Sequence, residues 1–231
     1  MSNLLNRLQW NPEPVIGPAQ IQVAALVSEL ESGTDPAHLL RSHSLVPADL
    51  VAALAVTALG GEQSLGLPLI QGRASRPNIE PALQAVARLW KTVTPTASLV
   101  VAAGLLQIFE FWDASHTAAQ EADDRGDTTK LGSLWHAIAH RREPDPGNSA
   151  YWYRRVGRDP AGIYSALVQP ATAVIEKSGH WTLTVQLIKN GRWDPLALIE
   201  ICTRVRPGTA EEGLARKLQR LEMLACLEAS L

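Results

Sequence analysis

Residues 131–160, LGSLWHAIAHRREPDPGNSAYWYRRVGRDP, hold two helical segments separated by a polar turn. Histidine, tryptophan, tyrosine, arginine and acidic residues are denser here than in any other part of the chain. Trp135 and Ile138 are spaced as the core face of a first helix, and Trp152 and Val156 lie one turn apart in a second. The stretch therefore predicts a helical hairpin.

Helix boundaries are marked by capping residues along the chain. Asp–Pro pairs at Asp35, Asp159 and Asp194 each precede apolar residues at helical spacing. Aspartate accepts hydrogen bonds from the first free N–H groups, and proline loses nothing at the first helical position. Within the hairpin, Asn148 is predicted to cap the second helix and Gly157 to end it.

The composition predicts an all-α fold, because alanine and leucine dominate and runs of strand-forming residues are sparse. We expect one globular multi-helix domain over residues 1–231, with an antiparallel helical hairpin at its centre. Residues 1–95 allow an N-terminal subregion beside a helical core of residues 96–231. The helices are predicted at 18–31, 35–42, 47–59, 79–90, 96–122, 132–143, 148–157, 160–177, 181–189, 195–205 and 210–230.

Two segments interrupt this pattern. Residues 60–78 are rich in glycine, proline and serine, which predicts a loop across the surface. Residues 181–188, WTLTVQLI, alternate well enough that a short strand stays open as an alternative to a helix.

Charge and hydropathy exclude several classes of protein. The formal net charge is −2 with no long run of one sign, so no nucleic-acid partner is expected. No apolar stretch reaches the length of a membrane span, and residues 1–14 lack the apolar region of a signal peptide. Cys202 and Cys226 fall at apolar helical positions typical of buried free thiols. We expect a soluble cytoplasmic protein without a membrane partner.

Two polar helix faces are predicted to meet around the loop that begins near residue 123. Asp113 and His116 share a face of the helix before it, and His136, His140 and Glu143 share a face of the helix after it. A short loop makes such helices antiparallel neighbours. His116 should then lie near His136, and Asp113 near His140.

This cluster supports three interpretations. His116, His136 and His140 could hold a divalent metal such as Zn²⁺, with Asp113 or Glu143 completing the ligand set. The same five residues could instead act as acid–base catalysts without a metal, because a carboxylate can tune a histidine to neutral pH. They could also form a buried structural network of hydrogen bonds, since unpaired buried polar groups cost about 1–3 kcal/mol each.

Arginines near the cluster are candidates for binding an anionic ligand. Arg142 and Arg155 have apolar or aromatic neighbours one turn away and are predicted to be half-buried. Arg141 and Arg154 suit a solvated face equally well. Glu222 lies beside the apolar stripe of the last helix and is predicted at its solvent edge.

The chain resembles two known groups of proteins. The string HRREPDPGNSAYWYRRVGRDP resembles the turn and second helix of a single tetratricopeptide-type repeat. The strings DASH, HRREPD, YWYRRVG and LQRLEM resemble elements of an uncharacterised, mainly bacterial all-α family, to which no activity is assigned. The latter resemblance implies site residues at Asp113, His116, His136, His140, Glu143, Asp145, Asn148, Arg155 and Glu222.

Two functions follow as hypotheses. The first is a pocket between two helices that binds a small ligand or metal ion and would suit hydrolytic chemistry, with Arg142, Asn148, Arg155 and Glu222 as ligand-binding residues. The second is a repeat-like protein-interaction module in which the cluster is only a buried network. The partner is then an unknown small molecule or an unknown protein.

Overall fold

Twelve α-helices and two small antiparallel sheets form the described part of the chain. The computed structural model describes residues 4–91, 93–94, 96–180 and 182–231. The helices are α1 (Val23–Glu31), α2 (Pro36–His43), α3 (Pro47–Leu59), α4 (Glu80–Ala87), α5 (Ala97–Ile108), α6 (Trp112–Asp124), α7 (Leu131–Arg142), α8 (Pro146–Val156), α9 (Ile163–Ser178), α10 (Thr182–Leu187), α11 (Pro195–Arg204) and α12 (Ala210–Ala229). The strands are β1 (Leu8–Asn11), β2 (Glu13–Ile16), β3 (Ile21–Gln22), β4 (Ile188–Lys189) and β5 (Arg192–Trp193). The all-α prediction is confirmed.

Helix α7 is the centre of the molecule. Every one of its residues is buried, and it packs against α5, α6, α8 and α12. A helix buried all round is normally apolar all round, but α7 carries serine, two histidines and two arginines inside the core. Each of these polar groups needs a partner on a neighbouring element.

The N-terminal and C-terminal parts share one hydrophobic core. Trp90 Nε1 donates to the carbonyl oxygen of Leu231, 3.0 Å away. The predicted loop 60–78 crosses the C-terminal helices, and the amide nitrogen of Gln71 donates to Arg142 O at 2.8 Å. The division near residue 95 stays a prediction, and residue 95 itself lies outside the described residues.

The contact between α5 and α7 depends on a residue without a side chain. A Cβ atom on Gly104 would lie 2.7 Å from Trp135 and 2.8 Å from Leu227, both buried. We expect Gly104→Ala to lower the free energy of unfolding by about 1–3 kcal/mol, as overpacked cores do. Urea unfolding would measure this. Gly147→Ala is the control, because a Cβ atom there meets only Asp145 Oδ1, at 3.5 Å. The free energy of unfolding of this variant should not fall.

The predicted continuous helix over residues 96–122 is wrong. The chain forms α5 and α6 instead, with a break at residues 109–111. Glu110 adopts a left-handed φ of 71° there, which is uncommon for a residue other than glycine. Its carboxylate receives Arg142 Nη2 at 2.5 Å, an interaction that a continuous helix would direct elsewhere.

The N-terminus contains strands that the sequence did not predict. β1, β2 and β3 form an antiparallel sheet, and α1 begins at Val23 rather than at residue 18. Pro14 lies opposite Trp10 on β1, and β3 pairs only with Val15 and Ile16. Because β3 does not reach Pro14, the missing N–H group of this proline costs no hydrogen bond between β2 and β3.

Residues 182–187 are helical as α10, and only residues 188–189 enter a strand. The helical prediction is thus confirmed for residues 182–187 and wrong for residues 188–189, and the alternative of a strand is wrong for residues 182–187. Residue 181 lies outside the described residues.

Asp–Pro caps begin several helices. The side chains of Asp35 and Asp194 accept hydrogen bonds from the first turns of α2 and α11, and Asp159 accepts from the backbone of Tyr164 in α9. The predicted Asn148 cap is wrong. Asp145 caps α8, and its carboxylate accepts from the amide nitrogen of Asn148 at 2.9 Å.

No single helix among the described residues is both long and apolar enough to cross a membrane. The consecutive helices α2 and α3 meet that criterion only as a pair, with a bend of 107° between them. Most of α3 is buried in the core of this fold.

Candidate functional site

Helices α6 and α7 run antiparallel, as predicted. Trp112 Nε1 donates to Ala139 O at 3.1 Å, near the start of α6 and the end of α7. At the opposite end, Ser133 Oγ donates to Asp123 Oδ1 at 2.7 Å. Between these two contacts the histidines of both helices meet.

His116, His136 and His140 form what we call the histidine cluster. The Nε2 atoms of His116 and His136 are 2.8 Å apart. The ring centres lie 4.3 Å apart for His116 and His136, 5.0 Å for His116 and His140, and 4.9 Å for His136 and His140. One nitrogen from each ring lies within 4.8 Å of the other two.

Two tryptophans form the walls of the histidine cluster. Trp112 stacks on His116 with ring centres 4.8 Å apart, and Trp152 stacks on His136 at 3.9 Å. The indoles restrict the rotation of both imidazoles and keep water from their faces. Trp152, predicted as a packing residue of the second helix, does pack, and the cluster itself is what both tryptophans pack against.

His140 is oriented by residues outside the cluster. Its Nδ1 lies 2.6 Å from Glu143 Oε2. Its Nε2 lies 3.0 Å from the side-chain amide nitrogen, Nδ2, of Asn148. A carboxylate on Nδ1 accepts the proton of that nitrogen, so Nε2 is left with its lone pair. Asn148, one of the predicted site residues, donates to this lone pair.

Burial and mutual repulsion favour the neutral form of His116 and His136. Burial, followed by the neighbouring His116 and His140, lowers the pKa of His136 to about 3. Burial and then His140 lower the pKa of His116, although Glu143 and Asp113 oppose the shift. At neutral pH both rings are uncharged, and at their 2.8 Å contact one Nε2 donates its proton to the lone pair of the other.

One side of the cluster is open to solvent. His116 is half-buried, and Asp113 and Glu143 are exposed. Asp113 acts on His116 through its charge, whereas no contact between Asp113 and His140 occurs among the described side chains. The expected proximity of Asp113 to His140 stays a prediction; the exposed Asp113 side chain lies in the first turn of α6.

The prediction that Glu222 lies at the solvent edge of its helix is wrong. For Arg141 a solvated face was one of two open alternatives, and the residue is buried instead. Glu222 Oε2 receives Arg141 Nη1 at 2.6 Å and the hydroxyl of Tyr153 at 3.1 Å, while Trp193 Nε1 donates to Glu222 Oε1 at 3.2 Å. The two charged side chains are 0% and 1% exposed. Helix α12 packs on α5, α7, α9 and α11, so a residue beside its apolar stripe is enclosed as well.

The other candidate arginines differ from one another. Arg142 is fully buried and bound to Glu110, Gln71 and two backbone carbonyls, so it holds the crossing loop. Arg155 is exposed rather than half-buried, pairs with Asp123 at 3.0 Å and lies over Trp152. Arg154 is exposed, which agrees with the solvated alternative.

Asp123 and Ser133 belong to the surroundings of the cluster and were not predicted. Asp123 lies in the last turn of α6 rather than in a loop, and it faces the charge that His136 would carry. Asp123 and Ser133 are ten residues apart on either side of a short turn, and this spacing could have indicated that they face each other across the two helices.

Comparison with protein-family models, with curated proteins and with solved structures found no match. The two resemblances noted in the sequence, to a tetratricopeptide-type hairpin and to an uncharacterised all-α family, therefore stay predictions. Function has to be argued from the geometry of the site.

Proposed function

We propose that the histidine cluster binds one divalent transition-metal ion of the zinc type. The observation that carries this is the convergence of three imidazoles, each offering a nitrogen within 4.8 Å of the others, between α6 and α7. Imidazole nitrogen is a preferred zinc ligand, and two histidines four residues apart on a helix commonly share an ion.

The spacing of the rings supports an ion among them. Metal–nitrogen bonds of about 2.0–2.1 Å around a tetrahedral ion separate the ligand nitrogens by about 3.3 Å. The nitrogens of His116 and His136 are closer than that, at 2.8 Å. A shift of about half an ångström in half-buried His116 would accommodate the ion.

Glu143 is suited to an outer role. Histidines that bind zinc usually donate their second ring N–H to a carboxylate or carbonyl, which orients the ring and raises its basicity. The contact between Glu143 and His140 Nδ1 has this form. An ion on His140 Nε2 would displace the amide of Asn148, which is only half-buried and can move.

Three protein ligands and one position open to solvent are typical of catalytic rather than structural zinc sites. The exposed side of the cluster, near His116 and Glu143, would provide that position. Hydrolytic chemistry on a small substrate is the activity that this arrangement would suit.

Cobalt titration tests the proposal. Protein purified without an affinity tag, treated with chelator and titrated with Co²⁺, should bind about one equivalent and develop the visible bands of tetrahedral coordination, which Zn²⁺ then removes. His116→Ala should weaken binding by more than about 100-fold, since outer-shell changes alone cost 10- to 100-fold. His38→Ala, at an exposed histidine of α2, should bind as the unaltered protein does.

Glu143→Gln should weaken cobalt binding by about 10- to 100-fold, because His140 loses its orienting carboxylate. Glu200→Gln, at an exposed position on α11, is the control. Less than about a tenth of an equivalent of cobalt in the unaltered protein would contradict the proposal and favour the alternative of a purely structural network.

A further inference from the structure

A second cleft lies on the other side of α8, away from the residues of the histidine cluster. Its volume is about 330 Å³, and two turns of similar sequence form its rim. The first turn is Gly157–Arg158–Asp159–Pro160 and the second is Gly191–Arg192–Trp193–Asp194–Pro195. In both, the glycine has a positive φ, an arginine follows it, and an Asp–Pro pair begins the next helical segment.

The carboxylates of these turns are fully used. Asp194 accepts from the backbone of α11 and from Lys189 Nζ at 2.5 Å. Asp159 accepts from the first turn of α9 and from Ser165, and it lies 3.8 Å from Arg192 Nε. Each carboxylate therefore already faces one cation and also accepts hydrogen bonds from the backbone.

The rim is therefore strongly basic. Arg154, Arg158, Lys189 and Arg192 all line the cleft. Arg154 and Arg158 are exposed and have no ion-pair partner among the described residues. Lys189 and Arg192 each face a carboxylate, and Glu200 also acts on Lys189. Among the described side chains, the positive charge without an ion-pair partner at the cleft is therefore that of Arg154 and Arg158. Local charge of this kind attracts a dianion.

Aromatic rings form the floor. Tyr153, Tyr164 and Trp193 are buried and line the cleft. The hydroxyl of Tyr153 and Nε1 of Trp193 both bond to Glu222 in the core, so these side chains are fixed from behind. The polar ends of Tyr153 and Trp193 point into the core, whereas the buried hydroxyl of Tyr164 has no hydrogen-bond partner among the described residues. Each ring is only 3% exposed, so a ligand would meet the small apolar part that lines the cleft.

We propose that this cleft binds a small organic phosphate whose body is planar and aromatic. Guanidinium groups match the geometry of phosphate oxygens, and the rings suit a flat apolar group. The volume is at the lower end for small-molecule sites, which favours a compact monoester over a polymer. The proposal does not depend on metal binding by the histidine cluster.

Phenyl phosphate is the probe for this site. Isothermal titration calorimetry on chelator-treated protein should show saturable binding at one site, weakening as salt rises. Inorganic phosphate should bind about tenfold more weakly, because it lacks the ring, and phenol should not bind measurably. His116→Ala should leave the affinity unchanged, since that residue does not line the cleft.

Arg154→Gln and Arg158→Gln should each weaken phenyl phosphate binding by about tenfold, through the loss of a charge-assisted hydrogen bond. Arg88→Gln, an exposed arginine outside the cleft, is the matched control. Both tested side chains are exposed, so the variants should fold.

Three results would overturn the proposal. The first is no saturable binding up to about 10 mM phenyl phosphate, and the second is equal affinity in the arginine variants. The third is tighter binding of a single-stranded oligonucleotide at the same arginines, which would make a polymer the occupant.

Discussion

Glu222→Gln is expected to lower the free energy of unfolding by about 3–5 kcal/mol, the largest effect that we predict for one substitution. The glutamine keeps the size and some hydrogen bonds of the side chain, but it removes the charge opposite Arg141. That guanidinium is 1% exposed, and its Nε and Nη2 atoms already have no partner. An uncompensated cation would then remain in the core.

Thermal denaturation should show this as a fall in midpoint of roughly 10 °C for a chain of this size. Glu176→Gln, at an exposed position on α9, should change the midpoint little. The double variant Arg141→Met/Glu222→Leu removes both charges and should be more stable than Glu222→Gln alone. The loss of stability in the double variant should be smaller than the sum of the losses caused by Arg141→Met and Glu222→Leu alone. A loss equal to that sum would contradict this account of the pair.

Arg142→Met is expected to destabilise the protein by about 3–4 kcal/mol and to release the loop that crosses α7. The guanidinium is fully buried and donates to Glu110, to Gln71 Oε1 and to the carbonyl oxygens of Pro68 and Gln107. Methionine fills a similar volume but bonds to none of them. The Glu110 carboxylate, 10% exposed, then lacks its cation.

Hydrogen exchange separates this local release from a global loss of stability. The amides of Gln71 and Gly72 bond to Arg142 O and to Glu110, and they should exchange faster in the variant than the core amides of α3. Arg88→Met, at an exposed site, should leave the exchange rates of the loop amides and of the α3 amides unchanged. Equal acceleration across the loop and α3 would mean that Arg142 does not hold the loop specifically.

The meeting of the histidines could be predicted because it depends on local rules. His136 and His140 are four residues apart, and a short loop joins their helix to the one that carries His116. These rules fix which faces meet without any knowledge of the rest of the core. The stacking of Trp112 on His116 follows from the same spacing, since the two are four residues apart.

The buried ion pairs could not be predicted in the same way. Glu222 and Arg141 are 81 residues apart, and periodicity identifies only one apolar face of α12. Four helices cover that helix, so a polar residue beside its stripe becomes buried. A single sequence contains no direct signal for such long-range enclosure.

The break at Glu110 was hidden for another reason. Helix breaks are usually recognised by glycine or proline, and neither occurs between Phe109 and Phe111. The left-handed conformation of Glu110 is stabilised instead by distant partners, Arg142 and the backbone of Gly72. Tertiary contacts thus override local preference at this position.

The proposed metal site depends on whether an ion occupies the space between α6 and α7. Crystals grown with saturating zinc and measured on both sides of the zinc absorption edge test this directly. We predict one anomalous peak about 2.0–2.1 Å from a nitrogen of each of His116, His136 and His140. A map with no peak between these three rings would contradict the proposed metal site.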